Sequence, residues 1–127
     1  MPRVPDLKVE VRLAESAPNT SVVTVKGFVD TSTWKQLDGV LAQLVSGDTL
    51  YAILDLSATE YISSIGWGLM VAHSRPLTDK GGALVLAGLS PELDYVFKSM
   101  GFADLLAAFS DADAAVTSRA QPLAEQG

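Results

Sequence analysis

Two adjacent hydroxyls, Ser63 and Ser64, stand between an apolar run and the glycine-bearing stretch Gly66-Trp67-Gly68. The run before them, residues 51–56, is apolar and β-prone, and it reads as a buried strand. A short polar segment, residues 57–60, follows and reads as loop. From about Ser64 the apolar residues Trp67, Leu69, Met70, Val71 and Ala72 predict a helix. The order is strand, loop, hydroxyl, helix N-terminus. At such a terminus the unpaired backbone N–H groups and the helix dipole favour negative charge. A phosphoserine carries roughly −1.5 to −2 charges and three strong acceptor oxygens. A phosphate on a serine here would be electrostatically welcome. Serine is also a common helix N-cap, and on the residues alone capping is the simpler role for Ser64.

Other chemistry has little to stand on. The chain has one histidine, His73, with no paired carboxylate or second ligand at useful spacing, so neither a metal site nor a catalytic dyad is expected. It has no cysteine, which removes thiolate catalysis, disulfides and cysteine metal sites. Gly66-Trp67-Gly68 lacks the third glycine of a dinucleotide fingerprint. With no nucleophile–base pair and no phosphate loop, the expectation is a protein that is not an enzyme and holds no cofactor. Asp30 and Asp55 lie at the ends of apolar runs, where ligand-facing residues sit in open α/β sheets. The plainer roles are a helix cap for Asp30 and a turn cap for Asp55. Trp67 is either an exposed interface anchor or a core residue. Trp34 belongs to an amphipathic stripe and reads as core.

The elements that would position these groups can be read in order. At 127 residues the chain has room for one domain, expected over residues 1–120, with 121–127 a loose tail. The formal charge of −6 argues against a nucleic-acid binder. No apolar run approaches a membrane span, so direct membrane insertion is not expected. Met-Pro-Arg-Val-Pro at the start does not read as a secretion signal, and a cytoplasmic location is expected. Residues 7–13 alternate apolar and charged, the mark of a strand with one wet face. Residues 14–20 read as a turn around Pro18-Asn19, and 21–28 as a second strand able to form a hairpin with the first. Trp34, Leu37, Leu41, Leu44 and Val45 recur at helical spacing, with Asp30 or Thr31 as the cap and Gly47 as the stop. Pro76 should stop or kink the helix after Ser64 near Arg75. Residues 83–87 suit a buried parallel strand. Ser90-Pro91-Glu92 is a helix start, and Gly101 stops that helix. Residues 105–109 read as a brief last strand, and residues 110–113 have the capping-box form before a final alanine-rich helix. Two strands followed by alternating helices and strands is an α/β pattern with a mixed sheet, of about 4–5 strands and about 4 helices.

Several short motifs, taken together, make the chain resemble the STAS domain family, the bacterial anti-sigma-factor antagonists and their relatives. Gly27-Phe28-Val29-Asp30 is similar to that family's Gly-hydrophobic-hydrophobic-Asp before the first helix. Asp55-Leu56-Ser57 followed by Tyr61-Ile62 is similar to its Asp-hydrophobic-Ser strand end and hydrophobic pair. Gly81-Gly82, Leu86 and Met100-Gly101-Phe102 also stand where family members carry similar residues. The family's loop usually reads Asp-Ser-Ser-Gly-Leu-Gly. Aligned on Gly66 and Gly68, its phosphorylated serine falls on Ser64, its aspartate on Ser63 and its second serine on Ile65. The resemblance implies a protein-binding module that sequesters an anti-sigma factor serine kinase and is switched by phosphorylation of Ser64, with Ser63 as the alternate acceptor and a serine phosphatase reversing it. Asp30, Ser63, Ser64, Ile65 and Trp67 would lie on the partner-binding surface. A second implied role is a non-catalytic STAS subunit of a transport ATPase or signalling scaffold, and Ser63 in place of aspartate leans that way.

Overall fold

Strict alternation over Leu7–Leu13 makes a first strand, β1, and the valine- and threonine-rich Thr20–Val29 makes a longer second one, β2. The computed structural model describes residues 7–120. The expected tail, 121–127, lies outside them. β1 and β2 form the predicted antiparallel hairpin, with Leu7 opposite Gly27 and Leu13 opposite Ser21. Helix α1 follows at Trp34–Ser46, then β3 at Tyr51–Asp55 and β4 at Thr59–Ile62. Helix α2 spans Ser64–Asp79, β5 Ala83–Ala87 and α3 Pro91–Ser99. A single 3-10 turn, Phe102–Asp104, precedes the short strand β6, Ala108–Phe109, and helix α4, Ala112–Ala120.

The sheet runs β1-β2-β3-β5-β6, with β4 beside β2. β3 pairs in parallel with the first half of β2, from Thr20 opposite Tyr51 to Thr24 opposite Asp55. β4 pairs in parallel with the last part of β2, where the register shifts between Gly27 and Phe28. Consecutive residues of the central strands are buried on opposite faces. Val23, Leu54 and Leu86 meet Leu37, Leu41, Met70, Leu77 and Phe97 on one side. On the other, Val22, Ile53 and Val85 meet Ala115 of α4. Helices on both faces are what continuous apolar strands require. Among α3's first residues, the Ser90 hydroxyl accepts from the Leu93 N–H at 3.2 Å, the cap its sequence predicts.

The α/β class, the mixed sheet and the four helices agree with the sequence; several boundaries do not. Residues 57–60 are not simply loop, because Thr59 and Glu60 begin β4. Pro76 does not stop α2, which continues to Asp79. One missing N–H and its crowding cost about 3 kcal/mol inside a helix. Continuing it buries Leu77 at 1% exposure, which returns roughly 1.5–3 kcal/mol. The last strand holds only Ala108–Phe109, since Phe102–Asp104 coils first. Neither Asp30 nor Thr31 caps α1; the N-cap is Thr33, without a side-chain cap bond. At α4 it is Asp111, not Ser110, whose carboxylate accepts from the Ala114 N–H at 2.8 Å.

Candidate functional site

The end of the sheet where β2 and β4 finish carries the predicted residues. Val29 and Ile62 are paired there, and the next residue of each strand begins the site. Asp30 follows Val29, and Ser63 follows Ile62. The Ser63 N–H donates to the Val29 carbonyl at 2.8 Å, which ties the start of α2 to the end of β2. Ser63, not Ser64, is the N-cap, with extended backbone at φ −75° and ψ 170°. Its hydroxyl makes no cap bond; it is buried and has no hydrogen-bond partner among the described residues. Ser64 is the first helical residue and is exposed.

The first α2 turn is open at this end. Trp67 N–H is the one that reaches back to the Ser63 carbonyl, at 3.1 Å. The amides of Ser64, Ile65 and Gly66 precede the first position that can find an intrahelical carbonyl. They and the dipole favour an anion beside Ser64. Gly66 lets this turn sit close to the sheet: a Cβ there would lie 2.8 Å from Val29 Cγ1 and from Ile62 Cγ2. Gly68 has open space around it.

Asp30 is held by its own loop. One carboxylate oxygen accepts from the Ser32 N–H at 2.9 Å and the Ser32 hydroxyl at 2.7 Å. The Ser32 hydroxyl, then the Ser32 N–H, holds the carboxyl below the ordinary aspartate range. Thr33 completes the turn, its hydroxyl accepting from the Asp30 N–H and donating to the Phe28 carbonyl. Asp55 repeats the device at the end of the neighbouring parallel strand, accepting from the Ser57 N–H at 3.1 Å and the Ser57 hydroxyl at 2.7 Å. Asp55 is thus the turn cap that its residue type suggests.

Trp67 does not reach the surface. It is 2% exposed, stacked on Phe102 at 5.1 Å between centroids and tilted against Phe97 at 6.1 Å. The core placement, rather than the interface anchor, is the one the fold adopts. Trp34 packs at the edge of the same core. Ile65 is partly exposed, and so are Phe28 and Tyr61, which stand opposite each other on β2 and β4. Phe28 and Tyr61 are the surface residues that sequence reasoning missed. The burial pattern of β4 does not alternate, so no period-two signal could have exposed Tyr61. His73 does have a carboxylate partner: Asp38 of α1 lies 2.8 Å from its Nε2. Thirty-five residues separate the two, which hides the pair from any local spacing rule. Among the described residues no group of three or more His, Cys, Asp or Glu could hold a metal. No helix there is long and apolar enough to cross a membrane.

The family model described as STAS domain matches residues 12–115. BtrV of Bordetella bronchiseptica, named as a candidate anti-sigma factor antagonist, is 30% identical over 94 residues, covering 74% of this chain and 81% of its own. An anti-sigma factor antagonist from Mycobacterium paratuberculosis shares the fold, with a TM-score of 0.82 at 22% identity over 91% of this chain and 96% of its own. So does the anti-sigma factor antagonist SpoIIAA. Its unphosphorylated form gives a TM-score of 0.74 at 19% identity, covering 91% of this chain and 99% of its own. The phosphorylated form from Bacillus gives 0.68 at 19% identity, covering 87% and 98%.

Proposed function

This chain belongs to the STAS domain family, and from that premise we propose that it is an anti-sigma-factor antagonist switched at Ser64. In the unphosphorylated state the surface around Asp30, Ser64 and Ile65, widened by Phe28 and Tyr61, binds an anti-sigma factor serine kinase in the cytoplasm. The kinase phosphorylates Ser64, and binding ends. A serine phosphatase restores the competent form. The protein itself does no chemistry in this cycle.

The observation that carries the reading is the contrast between neighbours. Ser64 is exposed on the first turn of α2, beside amides that suit a phosphate, whereas the Ser63 hydroxyl is buried. A kinase can reach the first and not the second without opening the loop. A dianion set among half-exposed apolar residues costs far more to desolvate in a packed interface than a hydroxyl does. Loss of the partner, with the fold intact, follows. SpoIIAA, which shares the fold, occurs in phosphorylated and unphosphorylated forms, in keeping with a phosphorylation switch.

Intact-mass analysis tests it, after incubation with ATP and each anti-sigma-type kinase from the same genome. Wild type should gain one phosphate, Ser63→Ala should also gain it, and Ser64→Ala should not. Phosphate retained by Ser64→Ala would remove the site from Ser64. No phosphate with any kinase, together with stable capture of a transport ATPase or scaffold, would favour the non-switching STAS subunit, the reading that Ser63 in the aspartate position supports.

A further inference from the structure

The outer edge of β1 pairs with no strand among the described residues. Its two most exposed apolar residues lie on it: Val11 is 45% and Leu13 74% exposed. The ladder to β2 shows which backbone groups face outward. Ala14 N–H donates to the Thr20 carbonyl, whereas Gly27, opposite Leu7, sends its N–H to Ala58 of the β4 side. Antiparallel pairs alternate between bonded and unbonded positions. Even-numbered residues of β1 therefore bond to β2, and the odd-numbered ones turn their N–H and C=O groups outward. Of these, the Leu7 carbonyl is already taken by the Gln36 side chain at 2.8 Å. Val9, Val11 and Leu13 remain.

We propose that two copies of this chain associate through β1 about a two-fold axis at Val11, joining their sheets into one. In that register Val11 faces Val11 of the second copy, and Val9 faces its Leu13. All the free outward groups of the strand then find partners, and the occupied Leu7 carbonyl is left outside the pairing. The side chains agree. Glu10 of each copy falls opposite Arg12 of the other on one face, while Val9, Val11 and Leu13 line the opposite face. Charged residues ordinarily guard an exposed edge against pairing; here their order is self-complementary. Among the described residues Glu10 pairs with Lys8, at 3.5 Å, with both side chains largely exposed, a contact that is easily given up. A register two residues earlier in each copy, centred on Val9, would need the Leu7 carbonyl and would set Leu13 opposite Pro5, which has no N–H to donate. The pairing spans residues 9–13, toward the end of β1 that lies opposite the start of β2. Ser64, beyond the other end of β2, stays open in both copies.

Because the chain has no cysteine, single thiols read the register directly. Val11→Cys should cross-link on mild oxidation, since paired Cα atoms at a bonded antiparallel position lie about 5.5 Å apart, within the roughly 4.4–6.8 Å that disulfides span. Leu13→Cys, more exposed, should not, as the two thiols would be staggered by about 13 Å along the strands. Equal cross-linking of both would reveal chance collision and overturn the proposal; cross-linking at Val9→Cys instead would overturn the register. Sedimentation velocity over a concentration series gives the second test. The wild type should show a concentration-dependent dimer. Glu10→Arg and Arg12→Glu should each weaken it by about tenfold, as like charges come to face each other. The double exchange, carrying both substitutions, should restore it. A wild type that stays monomeric at every concentration, or a double exchange no better than the single variants, would sink the proposal. Circular dichroism of each variant shows that the fold is kept.

Discussion

At the scale of single residues the site works through where hydroxyls and carboxylates are satisfied. Asp30 is the measurable case. A carboxyl whose pKa falls on folding adds stability above its unfolded pKa and loses it as the pH drops through the folded one. The bonds from Ser32 lower Asp30 in this way, so its contribution is fully present at neutral pH and is lost only in acid, as the pH falls through a folded pKa below the ordinary aspartate range. Carbon-detected NMR titration should find the Asp30 midpoint depressed, and Ser32→Ala should move it upward, because the Ser32 hydroxyl is the leading cause. An unchanged midpoint in Ser32→Ala would remove the hydroxyl from the explanation. Aspartate, then one residue, then serine at both strand ends was visible in the sequence; the use to which Asp30 is put was not. Helix capping and loop capping ask for the same residue type, and only the chain's path chooses between them. The same ambiguity covered Ser63 and Ser64. Which one is N-cap depends on where β4 ends, and β4 left no periodic trace.

Among the elements, α2 shows most clearly what tertiary contact adds to propensity. Glycine in a helix interior costs roughly 0.5–1 kcal/mol relative to alanine, so Gly66 and Gly68 look equally replaceable. They are not. Gly68→Ala, into open space, should raise the denaturation midpoint by the propensity gain. Gly66→Ala should lower the midpoint, through a stability loss of about 1–3 kcal/mol from overpacking against Val29 and Ile62, and should loosen the serine turn with it. Chemical denaturation of both variants decides the matter; a gain in both would mean that the turn yields without strain. Elements with strong local signals were legible: α1 from the period its buried face imposes, β1 from the alternation of apolar and charged residues, and the start of α3 from its serine cap and proline. Those set by distant contacts were not. Pro76 is carried through by the burial of Leu77, β6 is two residues long, and Trp67 is drawn inward by Phe97 and Phe102 from later in the chain.

At the scale of the whole molecule, β2 is the organising strand. It is paired with β1 from Ser21 to Gly27, with β3 over its first half and with β4 over its last residues, where the register shifts between Gly27 and Phe28. The central ladder of β2, β3 and β5 has helices on both faces, whereas β4 borders a single strand among the described residues, held to the end of β2 by its pairs with Gly27, Phe28 and Val29, by the Gly27 N–H on the Ala58 carbonyl and by the Thr59 hydroxyl on the Val25 carbonyl. Such an arrangement divides the chain into units of unequal cooperativity. In native-state hydrogen exchange the Ser63 amide, bonded to Val29, should exchange by a local opening well below the global unfolding free energy. The amides of Leu54 and Val85 should exchange only through global unfolding. Equal protection at all of them would make β4 part of the central unit. With the expected result, the split in β2 becomes a line of separation. The turn that carries Ser63 and Ser64 can then loosen from the end of β2 and close again, a motion that would uncover the Ser63 hydroxyl without unfolding the sheet beneath it.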